Sequence, residues 1–313
     1  MALSLSLTAA CGSSPADGGE GGQEIIAITA GVAASPTSAP LFIGVEQGFF
    51  EEEGIDLTLD DSATGAGAIP QLINGQLQVA LGALSPAITA VAEGIPVVMV
   101  SGSVNDREDP AGTQYQTLVP GDSDIESFSD LAGHTVGVNS LRCCWEFWIR
   151  EAIEQEGGDA STVEFLQLPF PDAATALRQG DVDAISTLQP FATALRQEGF
   201  RDIGDSAAIA FDNPNNGNTT YYMAQQFIEE NPGVLERWRT ALQRSSDYAN
   251  EHPEETRSYI VDQTGTDAAL VDAAPLPMYT AEIDRETIER EAEFLVKYGV
   301  LEEAPGLDEI IAP

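Results

Sequence analysis

"ALRQGDVDAISTLQP", Ala176–Pro190, restates a phrase that the chain has already used at Leu72–Pro86, "LINGQLQVALGALSP". Each copy has a leucine, a glycine three residues later, a short apolar run, and a Leu-Ser-Pro or Leu-Gln-Pro ending. A glycine placed there ends a helix, because glycine alone enters the left-handed backbone region at little cost. The apolar run has the length of a buried strand, and the proline presets φ for the first turn of a new helix. Helix, strand, helix is the unit of a parallel α/β sheet with right-handed crossovers. Two copies predict two such sheets.

The flanking sequence extends both units. Around the first copy, Glu24–Ala30, Ile55–Leu59 and Pro96–Val100 read as strands, and Pro40–Phe50 as a helix. Ser62–Gly67 is a small-residue loop, and Ser85 with Pro86 reads as N-cap and first residue of a helix. Around the second copy, Tyr115–Val119, His134–Val138, Val163–Leu166 and Val182–Ile185 read as strands. Helices are predicted over Leu141–Glu156, Asp172–Gln179 and Pro190–Glu198. Element by element, the second series repeats the first. The fold class is α/β, built as two similar lobes.

Composition narrows the partners. The chain has 313 residues, and its 51 acidic against 13 basic side chains give a formal net charge of −38. Such a surface repels nucleic acid and anionic lipid, and its ordinary reading is solubility in high salt or at a cell exterior. The N-terminal "MALSLSLTAACGSS" is too short an apolar run to span a bilayer and reads as the end of a secretory leader, residues 1–11. Leu7-Thr8-Ala9-Ala10-Cys11 resembles a bacterial lipobox, with Cys11 the lipidated residue. Residues 12–23, rich in Gly and Ser, then read as a flexible tether. The expectation is an extracytoplasmic protein held to the cell membrane by its lipid alone. Cys143 and Cys144 are adjacent, a spacing that rarely bridges without strain, and with only His134 and His252 nearby in kind no metal site is expected. They read as packed, reduced thiols.

Two facing α/β lobes present the carboxyl ends of their strands, and the helix N-termini there, to a shared cleft. The loops expected to line it contain Ser35, Thr37 and Ser38; Thr64, Gly65 and Ala66; Leu84 and Ser85; Asn139, Ser140 and Arg142; and Gln189. Small polar loops leave backbone N–H groups free to meet a ligand, each helix N-terminus adding about 0.3–1 kcal/mol for an anion.

Four phrases carry a family resemblance: "APLFIGVEQGFFEEEGIDLTL" (Ala39–Leu59), "QLINGQLQVALGALSPAITAVAEGIPVVMV" (Gln71–Val100), "DLAGHTVGVNS" (Asp130–Ser140) and "ALRQGDVDAISTLQPFAT" (Ala176–Thr193). In this order, behind a lipobox, the chain resembles the nitrate/sulfonate/taurine type of ABC-transporter solute-binding lipoprotein. That group also contains binders of thiamine-pyrimidine precursors. The resemblance implies a type II periplasmic-binding-protein fold, a monomer whose lobes close on a small-molecule solute and deliver it to an ABC transporter permease. Lobe 1 is expected at residues 24–115 with 223–313 and lobe 2 at 116–222, the crossings falling near Tyr115–Val119 and Thr219–Met223. The tail from Glu229 is expected to pack on lobe 1. One departure is Gln78, where the family usually has Asp; the second copy keeps Asp183.

For the ligand, Arg142 at a helix start suits a small organic anion such as a sulfonate, against the plainer reading of an exposed arginine. The alternative solute is a thiamine-pyrimidine precursor or another aromatic heterocycle. Trp145 and Trp148 lie on one helical face and read first as core, with Trp145 able to line the cleft floor. Phe170, Phe191 and Tyr221 can stack on a planar ligand, although packing explains each, and Asn213–Asn218, a polar turn beside the second crossing, can reach the ligand but reads first as a solvated loop. No nucleophile has a base-bearing motif and no phosphate-binding loop is present, so no catalytic residue, cofactor or enzyme activity is expected. Certain thiamine-pyrimidine synthases resemble this fold and hold pyridoxal phosphate through a lysine; the single lysine here, Lys297, falls in a C-terminal helix away from the cleft loops.

Overall fold

The computed structural model describes residues 24–32, 35–61, 65–107 and 113–313. Cys11, the 12–23 tether and Thr64 lie outside them. The first lobe opens with β1 (Ile26–Gly31), α1 (Ala39–Glu46), α2 (Phe49–Glu52), β2 (Ile55–Asp60), α3 (Ile69–Ile73), β3 (Val79–Ala83), α4 (Leu84–Ala92) and β4 (Val97–Asn105). The second contains β5 (Tyr115–Val119), β6 (Thr135–Val138), α5 (Cys144–Gln155), β7 (Glu164–Gln167), α6 (Phe170–Gln179), β8 (Ala184–Leu188), α7 (Phe191–Gln197), β9 (Arg201–Gly204) and α8 (Ser206–Phe211). The chain then returns through β10 (Thr219–Ala224), α9 (Gln225–Glu230), α10 (Val234–Glu251), α11 (Pro253–Thr264), α12 (Ala268–Ala273), β11 (Met278–Tyr279), α13 (Arg285–Lys297) and α14 (Leu307–Ile310).

The sheets share one plan. The first runs β2-β1-β3-β10-β4-β11 and the second β7-β6-β8-β5-β9. In each, the first three strands are parallel, and the next is antiparallel: β10 against β3 and β4, β5 against β8 and β9. That antiparallel strand is the one that follows a crossing between lobes. The repeated phrases form α3–β3–α4 and α6–β8–α7, with Gly75 and Gly180 both at φ +75° where the preceding helix ends. The Gln78 departure is also resolved. Its amide oxygen accepts from the Thr29 backbone N–H at 2.8 Å, as the Asp183 carboxylate accepts from Thr135 at 2.8 Å. Either side chain ties a backbone N–H of its lobe's first parallel strand, Thr29 within β1 and Thr135 at the start of β6.

Three expectations change. β10 pairs along its whole length with β3 and β4, so Thr219–Tyr222 belong to lobe 1 and the return crossing lies upstream of them. α4 starts at Leu84 behind Ala83, which leaves Ser85 inside the first turn and its hydroxyl free for another partner. The tail does not pack on lobe 1 alone. α10 covers α1, with Trp238 buried against Phe50 and Tyr221. α13 instead wedges between the lobes, and its Ile288, Phe294 and Leu295 join Leu84 and Ile88 of lobe 1 to Trp148 and Phe211 of lobe 2 in one apolar cluster. No helix among the described residues is long and apolar enough to cross a membrane.

Candidate functional site

A cavity of about 160 Å³ lies where the two sheets face each other. Its lobe 1 wall is Ser35–Thr37 after β1, Ala83 at the end of β3, and Asn218 with Thr219 at the start of β10. Its lobe 2 wall is Asn139 after β6, Trp145 and Trp148 on α5, Phe170 at the head of α6, and Leu188 with Gln189 after β8. Gln114 and Tyr115, where the chain enters lobe 2, close it. These are carboxyl ends of parallel strands and the crossings between lobes, the place where open α/β sheets put ligands.

Aromatic rings dominate the walls. Trp145 packs edge-on against Tyr115 (centroids 5.2 Å) and Phe170 (5.5 Å), and Phe170 stacks on Phe191 behind it at 6.2 Å. The polar groups are neutral, and most are already held. The Gln189 oxygen accepts from the Thr193 hydroxyl at 2.7 Å and its amide donates to the Thr113 carbonyl at 3.1 Å. Tyr115 donates to Asn218 Oδ1 at 2.8 Å, and Asn218 in turn donates to Asn216. Asn139 Oδ1 is buried without a protein partner, which leaves it as a hydrogen-bond acceptor for a bound molecule. Among the described residues, no Asp, Glu, Lys, Arg or His lines the cavity.

Behind Tyr115 the crossings meet at a carboxyl pair. Asp106 Oδ1 accepts from the Arg107 and Gln114 backbone N–H groups at 2.8 and 3.0 Å. Asp205 Oδ1 accepts from Ala207 and Ala208 at 2.8 and 3.1 Å, capping α8. The remaining oxygens, Asp106 Oδ2 and Asp205 Oδ2, are buried without a hydrogen-bond donor, and the two carboxyls act on each other, so a proton shared between them would satisfy both. Burial holds both above the ordinary carboxylate range, and the neighbouring Asp106 raises Asp205 further.

A second buried carboxylate joins the lobes. Glu291 of α13 accepts from the Ser85 hydroxyl of α4 and from Trp148 Nε1 of α5, the latter at 2.9 Å. Burial raises its pKa, while these donors favour the charged form.

Of the residues expected to meet ligand, Ser35, Thr37, Asn139, Trp145, Phe170 and Gln189 come together in this cavity. Others lie elsewhere. Tyr221 is fully buried in the lobe 1 core against Trp238, and Leu84 is in the core between lobes. Ser38 is buried, and Gly65 and Ala66 belong to the short 3-10 helix Gly65–Ala68. Arg142 has φ +54° and donates to the Gly299 carbonyl at 3.1 Å. With Ser85, Ser140 and Cys143 it lines a separate open groove of about 410 Å³ between α4 and the residues after α13. Asn216 and Asn218 are buried, so the Asn213–Asn218 turn is not the solvated loop that its composition indicates. Asn218 lines the cavity, as the reading of that turn as reaching the ligand expects, whereas Gln114 and Tyr115 were not expected there, although residues at predicted crossings border any cleft between lobes. A larger groove of about 760 Å³ on lobe 1 contains Arg239, Arg244 and Arg285. Those guanidiniums are engaged by the Val100, Ala312 and Pro313 carbonyls, by Glu52 and by Asp308.

A family model described as "NMT1/THI5 like" matches residues 35–256. The formylaminopyrimidine-binding protein of Halalkalibacterium halodurans is 24% identical over 224 residues, covering 71% of this chain and 65% of that protein. A 4-amino-5-hydroxymethyl-2-methylpyrimidine phosphate synthase of Candida albicans is 23% identical over 233 residues, covering 71% of this chain and 66% of that protein. The match thus spans just under two thirds of each relative's length. Among solved structures, the periplasmic aliphatic sulphonate binding protein SsuA from Escherichia coli superposes with a TM-score of 0.73 at 19% identity, covering 92% of both chains. The fold is therefore the two-lobed type II fold of periplasmic solute-binding proteins.

Proposed function

Because the chain belongs to the NMT1/THI5-like family, we propose that it is the extracytoplasmic solute-binding component of an ABC importer. A monomer, anchored through lipid on Cys11, closes its lobes around a small solute and hands it to the permease. Closure follows ligand because only the closed form offers both walls at once.

The observation that carries the ligand class is the lining of the cavity: aromatic faces and neutral amides, with no charged side chain among the described residues. Of the two solute classes that the sequence raises, this favours a planar heteroaromatic molecule over an organic anion. An anion would enter a protein of net charge −38 without a guanidinium to meet it, since Arg142 is engaged at Gly299. A cavity of about 150 Å³ accepts a benzene-sized ring, so 160 Å³ fits one substituted six-membered ring. Stacking on an aromatic wall contributes about 1–3 kcal/mol for a flat heterocycle. The relative that binds a formylaminopyrimidine supports the same class.

The synthase relative keeps an enzymatic reading in view. Lys297 pairs with Glu151 and Glu154 of α5, and among the described residues no lysine, histidine or cysteine lines the cavity. That lining supports capture rather than turnover.

A thermal-shift panel of pyrimidines, alkanesulfonates, taurine, nitrate and bicarbonate tests the proposal. A ligand at a hundredfold over its Kd adds about 2.7 kcal/mol of stability. A response confined to pyrimidines or similar heterocycles supports it; a response confined to anions overturns the ligand class.

A further inference from the structure

We propose that Cys143 and Cys144 are a redox site, a vicinal thiol pair that closes reversibly to a disulfide and thereby resets the aromatic wall of the solute cavity. The two sulfurs lie 3.1 Å apart, and both cysteines are free thiols in this structure. Cys143 is partly exposed in the groove beside Ser140 and Arg142, within reach of a small oxidant. Cys144 is buried, and its sulfur lies 3.1 Å from Ser85 Oγ, whose hydroxyl donates to Glu291. The pair therefore has an accessible member, a resolving partner behind it, and a polar contact from the partner to the opposite lobe.

The local electrostatics suit attack by Cys143. It caps the twelve-residue helix α5, whose N-terminal dipole favours a thiolate. Its hydrogen bond with Cys144 holds its thiol below the ordinary cysteine value, while that bond and burial push Cys144 up. With a small disulfide as oxidant, the Cys143 thiolate attacks one sulfur, forms a mixed disulfide and expels one thiolate, which takes up the proton that Cys143 released. Cys144 then gives its proton to the polar chain at Ser85 and Glu291 and attacks the Cys143 sulfur. The second small thiolate leaves and recovers that proton. The two cysteine sulfurs are oxidised, and the small disulfide is reduced to two thiols.

Adjacent Cα atoms are about 3.8 Å apart, below the usual disulfide span of about 4.4–6.8 Å, so the ring is strained and readily reduced. That makes it a switch rather than a staple. Closing it removes the Cys144 S–H from Ser85 and constrains the first turn of α5, where the next residue, Trp145, walls the cavity.

The coupling to affinity rests on the solute-binding reading; the redox chemistry does not. The test uses the full chain with Cys11→Ser, so that the pair supplies its only thiols. Oxidised glutathione should remove both titratable thiols with a net loss of two hydrogens in the intact mass, and dithiothreitol should restore them. In Cys144→Ser the glutathione adduct should persist on Cys143, and in Cys143→Ser the buried Cys144 should stay unmodified. A stable adduct on the two-cysteine protein, or thiols that resist oxidation, overturns the proposal. Tryptophan emission should differ between the two states, and formylaminopyrimidine affinity should change by about fivefold or more, the low end of typical couplings. Identical emission and affinity in both states overturn the coupling. Failure of the pyrimidine to bind in either state counts against the ligand class alone, since mass and emission still report on the switch.

Discussion

Replacing Asp205 with asparagine tests the shared proton where the crossings meet. Asp106 and Asp205 are 2% and 8% exposed, each with one oxygen held by backbone N–H groups and the other buried without a donor, which a proton shared between the two carboxyls would supply. Both have folded pKa values raised above the ordinary carboxylate range. A group raised on folding adds stability that is fully present below its unfolded pKa and is lost as pH rises through its folded pKa. From about pH 4 upward, a single retained proton therefore lowers stability by up to about 1.4 kcal/mol per pH unit, until the pair ionises. In Asp205→Asn the side-chain oxygen keeps the cap on α8 and the new amide donates to Asp106, which no longer needs a proton to make the contact. Urea denaturation of both proteins from pH 5 to pH 8 measures the difference, because the remaining acidic groups contribute equally to each curve. Asp205→Asn should gain on the native protein as pH rises, by up to about 1.4 kcal/mol per unit. Parallel stability curves would refute the shared proton.

Other perturbations address the junction, the repeat and the cavity. Trp148→Phe keeps the ring but removes the N–H that Glu291 accepts, and should cost about 1.5–3 kcal/mol by thermal denaturation. Gln78→Asp retains the acceptor for Thr29 and should stay closer to native stability than Gln78→Ala, which should lose about 0.5–1.5 kcal/mol in the same assay. Phe170→Ala should weaken a pyrimidine ligand by about 1–3 kcal/mol in calorimetric titration, whereas Arg142→Ala should leave its affinity unchanged because the guanidinium lies outside the cavity.

The repeated phrase was legible because local rules write it. A left-handed glycine after each helix and a short apolar strand depend on neighbours in sequence, and β3 and β8 occupy the same place in their sheets. The loops at Ser35, Asn139 and Gln189 were legible because strand polarity decides which ends face the cleft. Arg142 was not. Its direction follows from a positive φ and from the Gly299 carbonyl, supplied by a tail that the chain places much later. α13 itself was assigned to lobe 1 because its amphipathic pattern states that one face is buried, not against which lobe. Asn216 and Asn218 look like turn residues in composition. Burial between the crossings turns them into structural amides, a tertiary effect without a local signature.

Whether a heteroaromatic solute is held between the lobes can be read by titrating the native chain's tryptophan emission with formylaminopyrimidine. Trp145 and Trp148 wall the cavity, while Trp238 is buried in lobe 1. A saturable change in emission, moved to higher ligand concentration in Phe170→Ala and unmoved in Arg142→Ala, is the predicted result. Emission that ignores pyrimidines yet responds saturably to an alkanesulfonate or bicarbonate would contradict it.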